Sequence, residues 1–106
     1  MLTTNKYQLA IVIINYKTPQ LTIDCLNSLL PEIMSLNIKV VVVDNASKDH
    51  SYKLIKKWIN KQDASEQMEL IKSSENTGFS GGNNIGIQAT EAEYYLLLNS
   101  DTLVRP

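Results

Sequence analysis

The chain has 106 residues, 43% of them hydrophobic and 20% charged, with ten basic and eleven acidic side chains and a net charge of −1. That is enough for one globular domain with a buried core, and its composition is far from that of a disordered chain. The near-neutral balance supplies no field to draw nucleic acid or an anionic membrane, which argues against a basic DNA- or RNA-binding module.

The first apolar run, "LAIVII" at residues 9–14, is rich in Ile and Val and shows no alternation. That pattern predicts a strand buried on both faces, and it is too short for a membrane span or a signal-peptide core. Together with a single cysteine, Cys25, which allows no internal disulfide, it places the expected location in the cytoplasm. Thr18-Pro19 then signals a helix start, a hydroxyl at the N-cap and proline at the first helical position. Cys25, Leu26, Leu29, Leu30 and Ile33 share one face of that helix, and Pro31 is expected to end or kink it.

A second buried strand is predicted at "IKVVVV", residues 38–43, and a second helix after Ser47, with Leu54, Ile55, Trp58 and Ile59 at helical spacing. His50 falls in its first turn, and residues 60–67 read as a surface loop. "MELI" at 68–71 is the third strand. A third helix starts within "SGGNNIGIQAT" and turns Ile85 and Ala89 inward, and "YYLLL" at 94–98 is the fourth strand. The alternation β-α-β-α-β-α-β predicts a three-layer α/β domain, a Rossmann-like parallel sheet flanked by helices.

Such sheets bind ligands beyond the carboxyl ends of their strands, where strand order reverses. The four strands here are followed by "NYKTPQ", "DNASKD", "SSENTGFSGG" and "NSDT". All are polar, and two place an aspartate at the junction. Asp44 is positioned to accept hydrogen bonds from a nucleotide; the alternative is that Asp44 or Ser47 caps the next helix. The cluster Gly78, Gly81, Gly82 and Gly86 lets backbone approach a ligand ahead of a helix N-terminus that favours anions, or else serves a tight turn and close helix–sheet packing. It is neither the dinucleotide fingerprint nor a P-loop. Asp101, two residues past Asn99, is a candidate oxygen ligand for a hard divalent cation, or closes the strand in an Asx turn. Asn15 and Tyr16 either line a base pocket or form a polar turn. One histidine and one cysteine build neither a zinc set nor a nucleophilic pair.

The stretches "IVIINYKTPQLTIDCLNSL", "VVVVDNASKD", "ENTGFSGGNNIGI" and "YYLLLNSDTLV", in this order, resemble the amino-terminal half of a family 2 glycosyltransferase with the GT-A fold. The resemblance is strongest to the rhamnosyltransferase-like branch that builds bacterial surface polysaccharides. It implies that residues 1–106 form the donor part of such a domain, binding a dTDP- or UDP-sugar for transfer to an acceptor hydroxyl with inversion. Asn15 and Tyr16 would frame the base, and Asp44 would bond the uracil or thymine ring. Asn76, Gly78, Gly81 and Asn83 would shape the sugar-nucleotide pocket. Asp101 would be the metal-binding acid of the family's Asp-x-Asp element, here Asn99-Ser100-Asp101, with Asn99 a further donor contact and Mg²⁺ or Mn²⁺ as the cation.

The resemblance further implies that the catalytic base and the site for a glycan or lipid-linked acceptor lie in a later segment. The chain alone is therefore expected to be inactive and to self-associate through an uncovered sheet edge. Two other classes compete with this reading. One is a receiver-like regulatory domain, which needs acidic residues where Asn15-Tyr16 and Ser73-Ser74 stand. The other is a non-catalytic nucleotide-binding or assembly module.

Overall fold

The computed structural model describes residues 7–75 and 78–100. They form, in order, β1 (Tyr7–Asn15), α1 (Pro19–Ser35), β2 (Ile38–Asn45), α2 (Ser51–Asn60), a 3₁₀ turn (Ser65–Gln67), β3 (Met68–Ser73), α3 (Gly78–Gln88) and β4 (Ala92–Asn99). The four strands are all parallel, in the order β3-β2-β1-β4. The chain thus steps outward from β1 to β2 and β3, then crosses back to set β4 against the other side of β1. The reversal falls between β1 and β4, with the polar residues that follow those strands on either side of it.

The continuous Val/Ile runs are buried on both faces because each face is covered. Ile11, Ile13, Val40 and Val42 pack against Cys25, Leu26, Leu29 and Ile33 of α1 and Ile55 and Ile59 of α2. The alternate residues Val12 and Ile14 meet α3, where Gly86 and Gly82 approach them. This split of odd and even positions is the period-2 pleat. It carries into the strand ends: Asn15 and Asp44, directly paired across β1 and β2, face α1 and α2, and Asn45 faces α3.

Several details depart from the sequence reading. Helix α1 runs four residues past Pro31 to Ser35. Proline removes the bond to the carbonyl of Asn27, but both residues are exposed, so water can take that carbonyl and the buried face holds the helix together. Helix α2 starts at Ser51, with His50 at its N-cap and exposed. Ile55 and Ile59 are buried and Trp58 packs at the core margin, but Leu54 points outward, one residue off the buried stripe. The stretch 60–67 is not wholly a surface loop. Ala64 is buried, and Gln67 Nε2 donates to the carbonyls of Ile33 (2.8 Å) and Ile38 (2.9 Å), satisfying an orphan acceptor at the end of α1.

Helix α3 begins at Gly78, ahead of the expected start, and its buried face is Gly82, Asn83 and Gly86; Ile85 is only half-buried. A Cβ on Gly86 would stand 2.3 Å from Val12 Cγ1, so the helix lies closer to the sheet than any side chain at that position permits. Strand β4 is the least covered element: Tyr94, Tyr95, Leu96 and Leu97 are 67%, 39%, 44% and 44% exposed, an uncovered apolar strip on both faces of an edge strand. Among the described residues, no helix is long and apolar enough to cross a membrane.

Candidate functional site

At the carboxyl edge of the sheet the ends of β1 and β2 are tied together by side chains. Asn15 and Asp44 are fully buried neighbours on adjacent strands. Asn15 Nδ2 donates to Asp44 Oδ1 at 3.0 Å and lies 3.4 Å from Ser47 Oγ. Asn15 Oδ1 accepts a 2.7 Å bond from Thr22 Oγ1 of α1, and Thr18 Oγ1 lies 3.5 Å from it. The same Thr18 hydroxyl is 3.5 Å from Ser100 Oγ, just past the end of β4, so the network reaches toward the third strand end as well.

The loops that leave these strands are held in an uncommon backbone state. Lys17 and Ala46 have φ of 58° and 61°. Left-handed backbone at a residue with a side chain costs roughly 1–3 kcal/mol and persists where surrounding bonds over-determine it. Here the Lys17 N–H donates to Ser47 Oγ at 2.8 Å, and the Ala46 N–H donates to the Asp44 carbonyl at 2.9 Å. Ser47 is therefore spent on the β1–α1 loop. Neither it nor Asp44 caps α2, whose start is instead marked by Asp49 Oδ1 accepting from the Ser51 N–H at 2.9 Å. Thr18 does stand at the N-cap of α1, but its hydroxyl makes no capping bond and turns to Asn15 and Ser100.

Tyr16, next in sequence to a fully buried residue, is 42% exposed, with Lys17 Nζ 5.1 Å from its ring centre. On the other face of the sheet, Asn45 Nδ2 donates to the Gly78 carbonyl at 2.9 Å and fixes the first turn of α3 against β2. Gly78 has φ of 75°, a value that glycine alone adopts without strain. Gly81 is half-buried, Asn83 is 4% exposed, and Asn99 is exposed at the end of β4. Asn76 and Asp101 lie outside the described residues.

Two buried acceptors in this region have no hydrogen-bond partner: Asp44 Oδ2 and Asn83 Oδ1. A buried polar atom without a partner costs about 1–3 kcal/mol, more when charged, and in native proteins calls for an explanation such as a ligand or an ordered water. Asp44 Oδ2 is held by a bonded carboxylate at the ligand-binding edge of a parallel sheet. It can accept an N–H from something that arrives there. The end of β4 presents neutral oxygens from Asn99 and Ser100, a donor set that a hard cation accepts alongside a carboxylate. Among the described residues there is no group of three or more His, Cys, Asp or Glu side chains able to hold a metal ion.

Sequence reasoning missed Thr22 and Asn45, gave Ser100 no role of its own, and named Ser47 only as an alternative cap for α2, which the structure does not bear out. Thr22 had a readable signal. It stands three and four residues before Cys25 and Leu26, a hydroxyl on an otherwise apolar helix face, where it needs a partner. Asn45 and Ser100 had none beyond their place at strand ends.

The family model of glycosyl transferase family 2 matches residues 10–106. Over 76 residues the chain is 29% identical to a dolichyl-phosphate beta-glucosyltransferase of Dictyostelium discoideum, covering 72% of this chain and 23% of the relative. The mannosyltransferase PcManGT from Pyrobaculum calidifontis, solved in complex with GDP-Man and Mn²⁺, superposes with a TM-score of 0.82 at 19% identity, over 97% of this chain and 30% of that one. S. aureus TarS 1-349 in complex with UDP superposes with a TM-score of 0.71 at 24% identity, over 89% of this chain and 27% of that one. The chain thus spans about a quarter to a third of the length of these proteins.

Proposed function

The chain belongs to glycosyl transferase family 2, and from that premise we propose that it forms the donor-binding part of an inverting transferase that takes a dTDP- or UDP-sugar. The observation that carries the proposal is Asp44 Oδ2, an unpartnered acceptor on a fully buried carboxylate at the carboxyl edge of the sheet. The imide N–H of uracil or thymine is a donor that suits it. That oxygen is closed to solvent, so the base reaches it only after local movement at the strand end. In this reading the exposed Tyr16 ring covers the base, and the N-terminus of α3, preceded by Asn76 and opened by Gly78, faces the diphosphate with the positive end of the helix dipole. Gly81 and Asn83 lie within its first two turns.

A divalent cation, Mg²⁺ or Mn²⁺, would be held by Asp101 with Asn99 beside it, and would neutralise charge on the departing diphosphate. The complexes of structural neighbours with UDP and with GDP-Man and Mn²⁺ support this ligand class. The rhamnosyltransferase-like branch and a role in polysaccharide synthesis at the cytoplasmic side rest on the four sequence motifs. We assign no catalytic base or acceptor site, glycan or lipid-linked, to these residues. Self-association through β4 completes the proposal, because that strand leaves both an edge and its apolar side chains open.

The test is calorimetric titration of the chain with UDP and dTDP, with and without Mn²⁺, alongside Asp44→Asn and Asp101→Ala. Binding that weakens about tenfold or more in Asp44→Asn is expected, since a hydrogen bond to a charged group is worth about 1.5–3 kcal/mol. Cation-enhanced binding in the wild type that Asp101→Ala abolishes is expected as well. Unchanged affinity in Asp44→Asn would remove the base contact, and no cation effect in the wild type would remove the metal role.

A further inference from the structure

Asn15 has no capacity left for a ligand. Its amide offers two donor hydrogens and an oxygen with two lone pairs. The hydrogens face Asp44 Oδ1 and Ser47 Oγ, and the oxygen faces Thr22 Oγ1 and Thr18 Oγ1, with none of the residue exposed. Its orientation is also decided. A carboxylate only accepts, so the nitrogen must face Asp44, which turns Oδ1 to the Thr22 hydroxyl as a donor. Thr22 is itself fully buried and fixed on the first turns of α1. The 2.7 Å bond from Thr22 is the shorter of the two that Oδ1 receives.

We infer that Thr22 and Asn15 are positioning residues, a buried hydroxyl–amide relay that pins one oxygen of Asp44 so that the other is held ready for the N–H of a nucleotide base. The inference rests on the proposed donor-binding reading and replaces direct contact between Asn15 and the nucleotide with an action through Asp44. An acceptor locked before the ligand arrives loses less freedom on binding than one that must be ordered at that moment. Removing the Thr22 hydroxyl leaves Asn15 Oδ1 with only a 3.5 Å contact, so the amide still faces Asp44 but is held less firmly, and the Asp44 carboxylate with it.

The relay is tested by a double-mutant cycle on UDP affinity, measured by calorimetry with folding checked by circular dichroism. Thr22→Val, which keeps shape and removes the hydroxyl, is expected to weaken UDP binding about three- to tenfold, the range of one neutral hydrogen bond. The same substitution in an Asp44→Asn background is expected to change affinity less than twofold, because the group it positions is gone. Thr22→Ser, which restores the hydroxyl, returns wild-type affinity within about twofold. If Thr22→Val unfolds the chain, Thr22→Ser and Thr22→Ala differ by the hydroxyl and carry the same comparison. Additive losses in the cycle, or a Thr22→Ser as weak as Thr22→Ala, would overturn the relay while leaving Asp44 as the base contact. An Asp44→Asn that binds UDP like the wild type would instead overturn the base contact itself, and the relay with it.

Discussion

Gly86→Ala should destabilise the domain although it replaces glycine by the best helix former in a helix. The added Cβ would meet Val12 Cγ1 at 2.3 Å, Cγ2 at 3.2 Å and Cβ at 3.3 Å, where ordinary contacts begin at 3.4 Å. The first overlap exceeds 1 Å, and Val12 cannot yield easily. It is fully buried in β1, between β2 and β4, and its β-branch leaves few χ1 positions. Helix α3 must therefore lift from the sheet. Overpacking of this kind costs about 1–3 kcal/mol, sometimes more, against about 1 kcal/mol gained in helix propensity. A net loss of up to about 2 kcal/mol is expected, lowering the melting temperature by up to roughly 15 °C.

Gly82→Ala is the internal control for that loss. Its Cβ meets the tip of Ile14 at 2.8 Å, a flexible half-buried side chain that can swing aside, so its stability should stay near wild type. Urea unfolding of both variants, of Val12→Ala and of Val12→Ala with Gly86→Ala completes the test. The double variant should recover part of the Gly86→Ala loss. A Gly86→Ala as stable as Gly82→Ala, or one whose loss simply adds to that of Val12→Ala, would refute the close approach of α3 to β1.

Pro31→Ala should raise the free energy of urea unfolding by about 2 kcal/mol, since an interior proline costs a helix about 3 kcal/mol and its rigidity in the unfolded chain returns part of that; a drop would mean that α1 does not continue past residue 31. Gln67→Ala should cost about 1–2 kcal/mol in the same assay, because it strands the carbonyls of Ile33 and Ile38; no loss would show that the 3₁₀ turn does not latch α1. Sedimentation of the chain should reveal self-association that Leu97→Lys and Tyr94→Lys weaken together, with nucleotide affinity unchanged; a monomer at every concentration would set aside pairing through β4.

Much of this fold is written in the chain as hydrophobic pattern. The Val/Ile runs of β1 and β2 read as doubly buried strands because both faces are in fact covered. The position of β4 beside β1 comes from the structure and sets the reversal of strand order between them. What pattern alone misjudged were places where a single contact overrides propensity. Pro31 is carried by the buried face of α1, and Gln67 earns structure in a stretch that looks like loop. Leu54 has the right residue type one position off the stripe. The inward face of α3 is invisible to a hydrophobic pattern because Gly82 and Gly86 pack by having no side chain. Asp44's place at the end of β2 was legible in the sequence. Its dependence on Thr22 was not, because a threonine seven residues after Asn15 meets it only once α1 folds back over the sheet. Asn15 and Tyr16 looked equivalent as neighbours, yet Asn15 ends β1 and is buried, while Tyr16 opens the bend that follows and is exposed.

The central claim, that the carboxyl edge of this sheet is a nucleotide-sugar site, is tested most directly by following backbone amides of the labelled chain by NMR during titration with dTDP or UDP. The largest shifts should fall at Asn15–Thr18, Asp44–Ser47, Gly78–Asn83 and Asn99–Asp101, with little change at Leu36, Asn37 and Tyr94 on the opposite edge. Saturable binding that shifts the opposite edge and leaves Asp44 and its neighbours still would contradict it.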